Sequence, residues 1–323
     1  MKKIKVIMDC DPGIDDALAL AYAAANRDTF ELLGITTVAG NQTIEKVTGN
    51  ALKLTEFYGL DVPVAQGMST PLLREIQTAP EVHGPTGLGY CELPETSRKP
   101  VEENAILFMY KTIMALPENE KVTLIPTGPL TNVALLLKLF PEVKDKIDQI
   151  IFMGGAACGG NVTACAEFNI YVDPEAAKIV FKSGIPMVMC GLDATMKCNL
   201  TSRQIAKLNQ TDDVLAKACG QMTAFSLDSS FNKYLNVVSI HDVVPFMYLA
   251  HPEIFKAERA ILDVDCSEGV SRGKTICDFR WWGYDSEDVN SFVLMNADSE
   301  KFQEYLITAI FELGAELGMS KGN

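Results

Sequence analysis

Short apolar runs and amphipathic stretches alternate along this chain. Residues 4 to 8 (IKVIM) form an apolar run with β-branched members, and DDALALAYAAA behind it has apolar positions at helical spacing. The unit recurs. ELLGITTVAG is followed by TIEKVTGNALKLTEFYG, and KVTLIP by LTNVALLLKLF. DQIIFMGG is followed, after a loop, by DPEAAKIVFKSG, and PMVMCGLDA closes the series. Strand-like runs separated by helices of about 10 to 15 residues predict βαβ units on a buried parallel sheet. Right-handed crossovers then put helices on both faces. Two stretches break the rhythm. Residues 66–100 are rich in Pro, Gly and Thr and too long for a plain connection, a mark of functional loops. Residues 201–250 read as successive helices with no strand between them. With no sharp composition shift or repeat, the expectation is one domain, 1–323. Its class is α/β: a doubly wound, mainly parallel sheet with helices on both faces and a helical elaboration.

The segment MDCDPGIDDALAL puts Asp9, Asp11, Asp15 and Asp16 around a Pro-Gly turn, where the first strand ends and the first helix begins. Ligands of open parallel sheets bind at the carboxyl ends of the strands. Capping explains one aspartate at a helix N-terminus. Four close carboxylates point instead to a hard divalent cation, which takes carboxylate, carbonyl and water oxygens. Other strand ends carry polar groups as well: Asn41 in VAGN, Thr127 in IPTGPLTN and Met153 in FMGG. Asn161, Glu167 and Asn169 lie close together in GGNVTACAEFNIYVDPEAA. SIHDVVP places His241 and Asp242 at a helix start. Of the three histidines, His251 before a proline reads as structural, whereas His83 in a glycine-rich loop and His241 beside an Asp suit ligand chemistry.

Composition narrows the classes. An apolar fraction of 48% and a charged fraction of 22% belong to an ordinary folded enzyme. A formal charge of −14 with no basic stripe argues against a nucleic-acid partner. The nine cysteines form no C-x-x-C pair, which suits reduced thiols in a cytoplasmic protein rather than zinc or disulfides. The N-terminus lacks a signal-peptide pattern, and no run of about 18 apolar residues is present to cross a membrane.

Taken together, DCDPGIDDALAL, TTVAGN, HGPTGLG, PTGPLTN, MGG, GNVTACAEFNIYVDPEAA and HDVVP resemble the inosine–uridine-preferring nucleoside hydrolases in order and spacing, over residues 9 to 245. The resemblance implies hydrolysis of the N-glycosidic bond of ribonucleosides, in salvage, with Ca2+ as cofactor. It implies calcium held by Asp11, Asp16, the Thr127 carbonyl and Asp242. Asp11 would take the proton of the attacking water, and Asp15, Asn41, Glu167 and Asn169 would bind the ribose hydroxyls. Asn161 would serve the 5′ side, with Met153 and Phe168 lining the sugar pocket. Acidic and carbonyl groups there suit an oxocarbenium-like transition state. His241 is the expected leaving-group acid, with His83 reaching the base. Asp9 either orients the cation's ligands or caps a neighbouring turn. Similar enzymes are often homodimers or homotetramers, so self-association is expected.

In FSLDSSFNKYLNVVSIHD, residues Asp228, Ser229, Phe231 and Tyr234 offer a base-facing surface unlike that of several family members, leaving purine or pyrimidine preference open. The pair His83 and His241 leans toward a pyrimidine-preferring or broad enzyme. Two rivals fit less well. A haloacid-dehalogenase-type phosphatase also opens on Asp-x-Asp, but Pro12 and the helix-opening Asp15-Asp16 do not suit it. A non-catalytic nucleoside sensor would need neither Asp11 as base nor a leaving-group acid.

Overall fold

The structure, a computed structural model, describes residues 2–280, 282, 289 and 291–319, without the side chains of Ser230 and Phe231. Its strands are β1 (Ile4–Cys10), β2 (Phe30–Thr37), β3 (Val64–Gln66), β4 (Val122–Pro126), β5 (Ile147–Met153) and β6 (Met187–Cys190). There follow β7 (Asn199–Thr201), β8 (Val237–Ser239), β9 (Phe255–Val264), β10 (Thr275–Asp278) and β11 (Ser291–Ala297). Nine of them build one sheet in the order β10-β9-β11-β6-β5-β4-β1-β2-β3. From β3 to β6 all neighbours are parallel, and β11 continues parallel to β6. Only β9 and β10 run antiparallel, at one edge. The doubly wound, mainly parallel sheet expected from the alternation is therefore present.

Strand β1 shows how sequence makes the layers. Val6, Met8 and Cys10 enter one apolar core and Ile7 enters the other, as the two-residue period of a strand requires. A strand covered on both faces has to be apolar on both. The helix Ile14–Ala25 is alanine-rich and buried almost all round. It is wedged against the helices Val243–Ala250 and Ser299–Glu316. Small side chains permit that close approach, and alanine is the strongest helix former.

One expectation needs correction. Residues 201–250 are not purely helical, because β8 lies among them and pairs antiparallel with β7. Asn236 ends the preceding helix (Ser230–Leu235) in the left-handed conformation at φ 61, a geometry that asparagine tolerates, and the chain then extends through β-branched Val237 and Val238. The 66–100 loop holds one four-residue helix, Pro80–His83.

The C-terminal helix Ser299–Glu316 closes the core over the first helix, with Phe302 fully buried. Phe302→Ala should remove about 3–5 kcal/mol of stability. Urea unfolding is expected to show a lower midpoint at unchanged slope, since the surface exposed on unfolding stays the same.

Candidate active site

The strand order 3-2-1-4-5-6 reverses direction between β1 and β4, the switch point where doubly wound sheets open a crevice. Asp11 leaves β1 at that point and Thr127 leaves β4 beside it. The Asn41 N–H donates to Asp11 Oδ2 at 2.7 Å, and its side-chain amide donates to the Asp11 carbonyl at 3.1 Å and to Asp16 Oδ2 at 3.2 Å. Asp16 Oδ2 also accepts the Gly13 N–H at 3.0 Å, so the capping reading holds for this oxygen. Its other oxygen accepts the Thr127 hydroxyl at 2.7 Å. A Cβ on Gly40 would sit 2.1 Å from Asp11 Oδ2, and one on Gly128 2.8 Å from Oδ1. Only glycine lets main chain close round this carboxylate. Within that wrapping Asp11 Oδ1 is buried without a hydrogen-bond partner.

Asp242 arrives as the N-cap of the helix Val243–Ala250, which packs beside the helix Ile14–Ala25 on the same face of the sheet. Ligand oxygens of Asp15, Asp16 and Asp242 lie within 4.8 Å of one another. At that separation Asp16 and Asp242 cannot both stay charged without a shared proton or a counter-ion. Burial first, and Asp15 second, push Asp16 up to about 6. Burial and the neighbouring carboxylates hold Asp11 and Asp242 well above the usual range. A dication supplies the counter-charge that these groups lack. The donor set, all hard oxygen with one orphaned carboxylate oxygen, fits such an ion. Asp11 stands beside the close trio rather than within it.

Asp9 points to the opposite core. It accepts from Thr36 at 2.6 Å and from Asn132 at 2.8 Å, and burial raises it to about 7. Asn132 in turn accepts the Met68 N–H at 2.9 Å and donates to the Thr37 carbonyl at 2.9 Å, so Asp9 anchors a brace between loops.

The opposite wall comes from the segment after β5. Glu167 caps the short helix Phe168–Val172, accepting the Asn169 N–H at 3.0 Å and, on its other oxygen, the N–H groups of Gly155 at 2.8 Å and Ile170 at 3.2 Å. Burial lifts it to about 7 against these bonds. The Asn169 amide donates to the Thr127 carbonyl at 2.7 Å and to the Met153 carbonyl at 3.1 Å, which joins the ends of β4 and β5. Asn161, exposed, accepts the Phe168 N–H at 2.9 Å. Met153 is buried and Phe168 half-buried.

His83 is buried and His241 half-buried, and each imidazole is held by Nδ1. His83 accepts the Ile14 N–H at 3.1 Å, and His241 meets the Thr195 hydroxyl at 2.8 Å. Burial lowers both below 6.5, with the Asp15 charge opposing it, and each lies within the field of that carboxylate. Of the base-facing candidates, Tyr234 is 88% exposed, and Asp228 accepts a hydrogen bond from Tyr90 at 3.0 Å. The side chain of Phe231 lies outside the described residues. Thr195, Asn132 and the glycines at 40 and 128 were not legible as site residues. Their roles depend on partners 29 to more than 100 positions away.

Fold and site together define a doubly wound α/β hydrolase with an acidic cation cradle and an amide-lined wall suited to a polyhydroxylated ligand. The profile of the family described as inosine-uridine preferring nucleoside hydrolase matches residues 6–304. The pyrimidine-specific ribonucleoside hydrolase RihA of Shewanella woodyi is 39% identical, over 94% of this chain and 97% of its own length. RihB of Escherichia coli, with the same description, is 38% identical over 94% and 95%. A purine-preferring ribonucleoside hydrolase from Gardnerella vaginalis superposes with a TM-score of 0.88 at 33% identity, covering 96% of this chain and 99% of that one. The chain belongs to the inosine-uridine preferring nucleoside hydrolase family and is an enzyme of the ribonucleoside hydrolase class.

The raised carboxyls give a pH signature. Folded Asp16 keeps its proton to about 6 and Asp9 and Glu167 to about 7, whereas the unfolded chain releases these protons near 3.8 and 4.5. Between those limits the folded state binds more protons, so stability falls as pH rises. In chelator, Tm should therefore drop from pH 5 to pH 8. Calcium should raise Tm more at pH 8 than at pH 5. Equal calcium shifts at both values would count against a cation bound at Asp16 and its neighbouring carboxylates.

Proposed function

We propose that this enzyme hydrolyses the N-glycosidic bond of pyrimidine ribonucleosides to ribose and free base, with calcium as its resident ion. The observation that carries the reading is the crowding of Asp11, Asp15, Asp16 and Asp242 in one buried crevice at the switch point. Asp11, Asp16, Asp242 and the Thr127 carbonyl would hold the ion. The carbonyl has a second lone pair beyond the one that Asn169 uses. Mixed carboxylate and carbonyl donors with room for water and hydroxyls suit calcium better than magnesium. When bound, the ion neutralises the carboxylates and makes a neighbouring water more acidic.

This chain's own residues do the rest. Asp11 accepts a proton from the attacking water, and the remaining hydroxyl bonds to C1′ as the C1′–N bond breaks. The bonding pair leaves with the base, to which His241 supplies a proton or an N–H hydrogen bond. Asp15, Asn41, Glu167 and Asn169 hold the ribose hydroxyls, with Asn161 toward its 5′ end and Met153 and Phe168 against the sugar. The carboxylates stabilise positive charge that develops on the ribose. His83 faces the base. The pyrimidine preference is supported by the two relatives named above and by the pair of imidazoles. The purine-preferring structural neighbour makes a broad preference the second reading. A single domain over 1–323 is supported by a sheet that mixes strands from both halves of the chain. A dimer or tetramer in the cytoplasm completes the reading. Among the described residues no helix is long and apolar enough to cross a membrane.

Ribose release from uridine, cytidine, inosine, adenosine and guanosine, with and without chelator, tests the reading. Expected are chelator-sensitive turnover and a lead for uridine and cytidine; a purine lead would overturn the base preference. Asp11→Ala should lower kcat on uridine by about 10²–10⁴-fold. Its far-ultraviolet circular dichroism should not change. A fully active variant would remove Asp11 as the base.

A further inference from the structure

The short helix Leu192–Thr195, just beyond β6, carries a side chain that the reading above leaves without a role. Thr195 is 0% exposed, and its hydroxyl lies 2.8 Å from His241 Nδ1 across 46 residues of chain. The helix is itself clamped. The Leu192 N–H donates to the Gly155 carbonyl at 2.9 Å, and Leu192 packs on Met153 and Ala156. The Asp193 carboxylate accepts the N–H groups of Ala157 at 2.7 Å and Cys158 at 3.2 Å. Threonine adds a β-branched side chain with few χ1 choices, so the hydroxyl is held at a defined point.

We propose that Thr195 is a positioning residue for departure of the base: it ties Nδ1 of His241 and leaves Nε2 as the nitrogen that meets the leaving group. This rests on the reading of His241 as the leaving-group donor. The tie works in either protonation state. A neutral ring with its proton on Nε2 accepts the Thr195 O–H at Nδ1, and this is the tautomer the proposal requires. An imidazolium donates Nδ1–H to the same oxygen and still presents Nε2–H. His83 uses the same device through a main-chain donor. The Ile14 N–H can only donate, so His83 Nδ1 is bare and its proton sits on Nε2. Without the hydroxyl, His241 would lose a buried partner, and its ring could flip to offer the wrong nitrogen.

The test compares uridine with p-nitrophenyl riboside, whose leaving group departs without protonation. Thr195→Val keeps the side-chain shape and removes the hydroxyl. It should lower kcat on uridine by about 10–100-fold, below the full range for acid catalysis because the ring remains present. KM and activity on p-nitrophenyl riboside should change far less, and Thr195→Ser should recover most of the uridine rate. Equal loss on both substrates, no loss on uridine, or a serine variant as poor as valine would overturn the proposal. His241→Ala in the same assay separates the two layers. If it also spares p-nitrophenyl riboside, His241 is the donor, and the valine result then decides on Thr195. If it loses both substrates equally, the donor reading falls, and the role of Thr195 falls with it.

Discussion

Like charges cannot be crowded in a dry crevice without something to balance them, and the catalytic face of this protein is organised around that constraint. Asp11, Asp16 and Asp242 are fully or almost fully buried, and Asp15 joins them at the crevice mouth. Hydrogen bonds from Asn41, Gly13 and Thr127 meet part of the cost of burying them. The carboxyls still sit above their ordinary range, so those donors do not complete the balance. A group of carboxylates held this way is a poor stabiliser of the fold by itself. Such local frustration persists where it serves a ligand, and the surrounding core has to hold the groups in place.

The sheet provides that restraint. β1 is flanked by parallel neighbours and covered on both faces, so the point where Asp11 leaves it is among the stiffest in the molecule. Asp9 continues the anchoring on the other side, where Thr36 and Asn132 fasten it and Asn132 fastens the loop at Met68. Asn169 links the ends of β4 and β5 through the Thr127 and Met153 carbonyls.

Legibility in the sequence followed the range of the interactions involved. The βαβ rhythm is local, and the parallel core could be read from it directly. The acidic turn was readable because its four aspartates lie within eight residues. β8 was missed because a three-residue strand carries little periodic signal and owes its existence to pairing with β7. Thr195, Asn132, Gly40 and Gly128 left no local trace, since each acts on an atom brought near only by the fold. His83 stood out by its glycine-rich loop, whereas its tie to Ile14 across 69 positions left no trace in the sequence.

That division also explains why the reaction class is clearer than the base preference. On the proposed reading, ribose and cation meet strand ends and short turns, whose geometry a parallel sheet fixes. The same reading sets the base against the 66–100 loop and the end of the helix Val214–Leu227, where Tyr90 packs edge-on against Phe225 and donates to Asp228. These contacts join two surface segments and lie at the exposed rim, so side chains there can vary with little effect on the core. On that reading the imidazoles serve both regions, since each is tied by Nδ1 to the scaffold and has Nε2 left for the base. A leaving pyrimidine gathers negative charge on its ring nitrogens and exocyclic oxygens. Two N–H donors fixed in this way would stabilise that charge without having to rearrange during the reaction, as preorganised donors do in other enzymes. Discrimination among bases then depends on whether the acceptor atoms of the departing ring fall within reach of two donors that the scaffold does not allow to move.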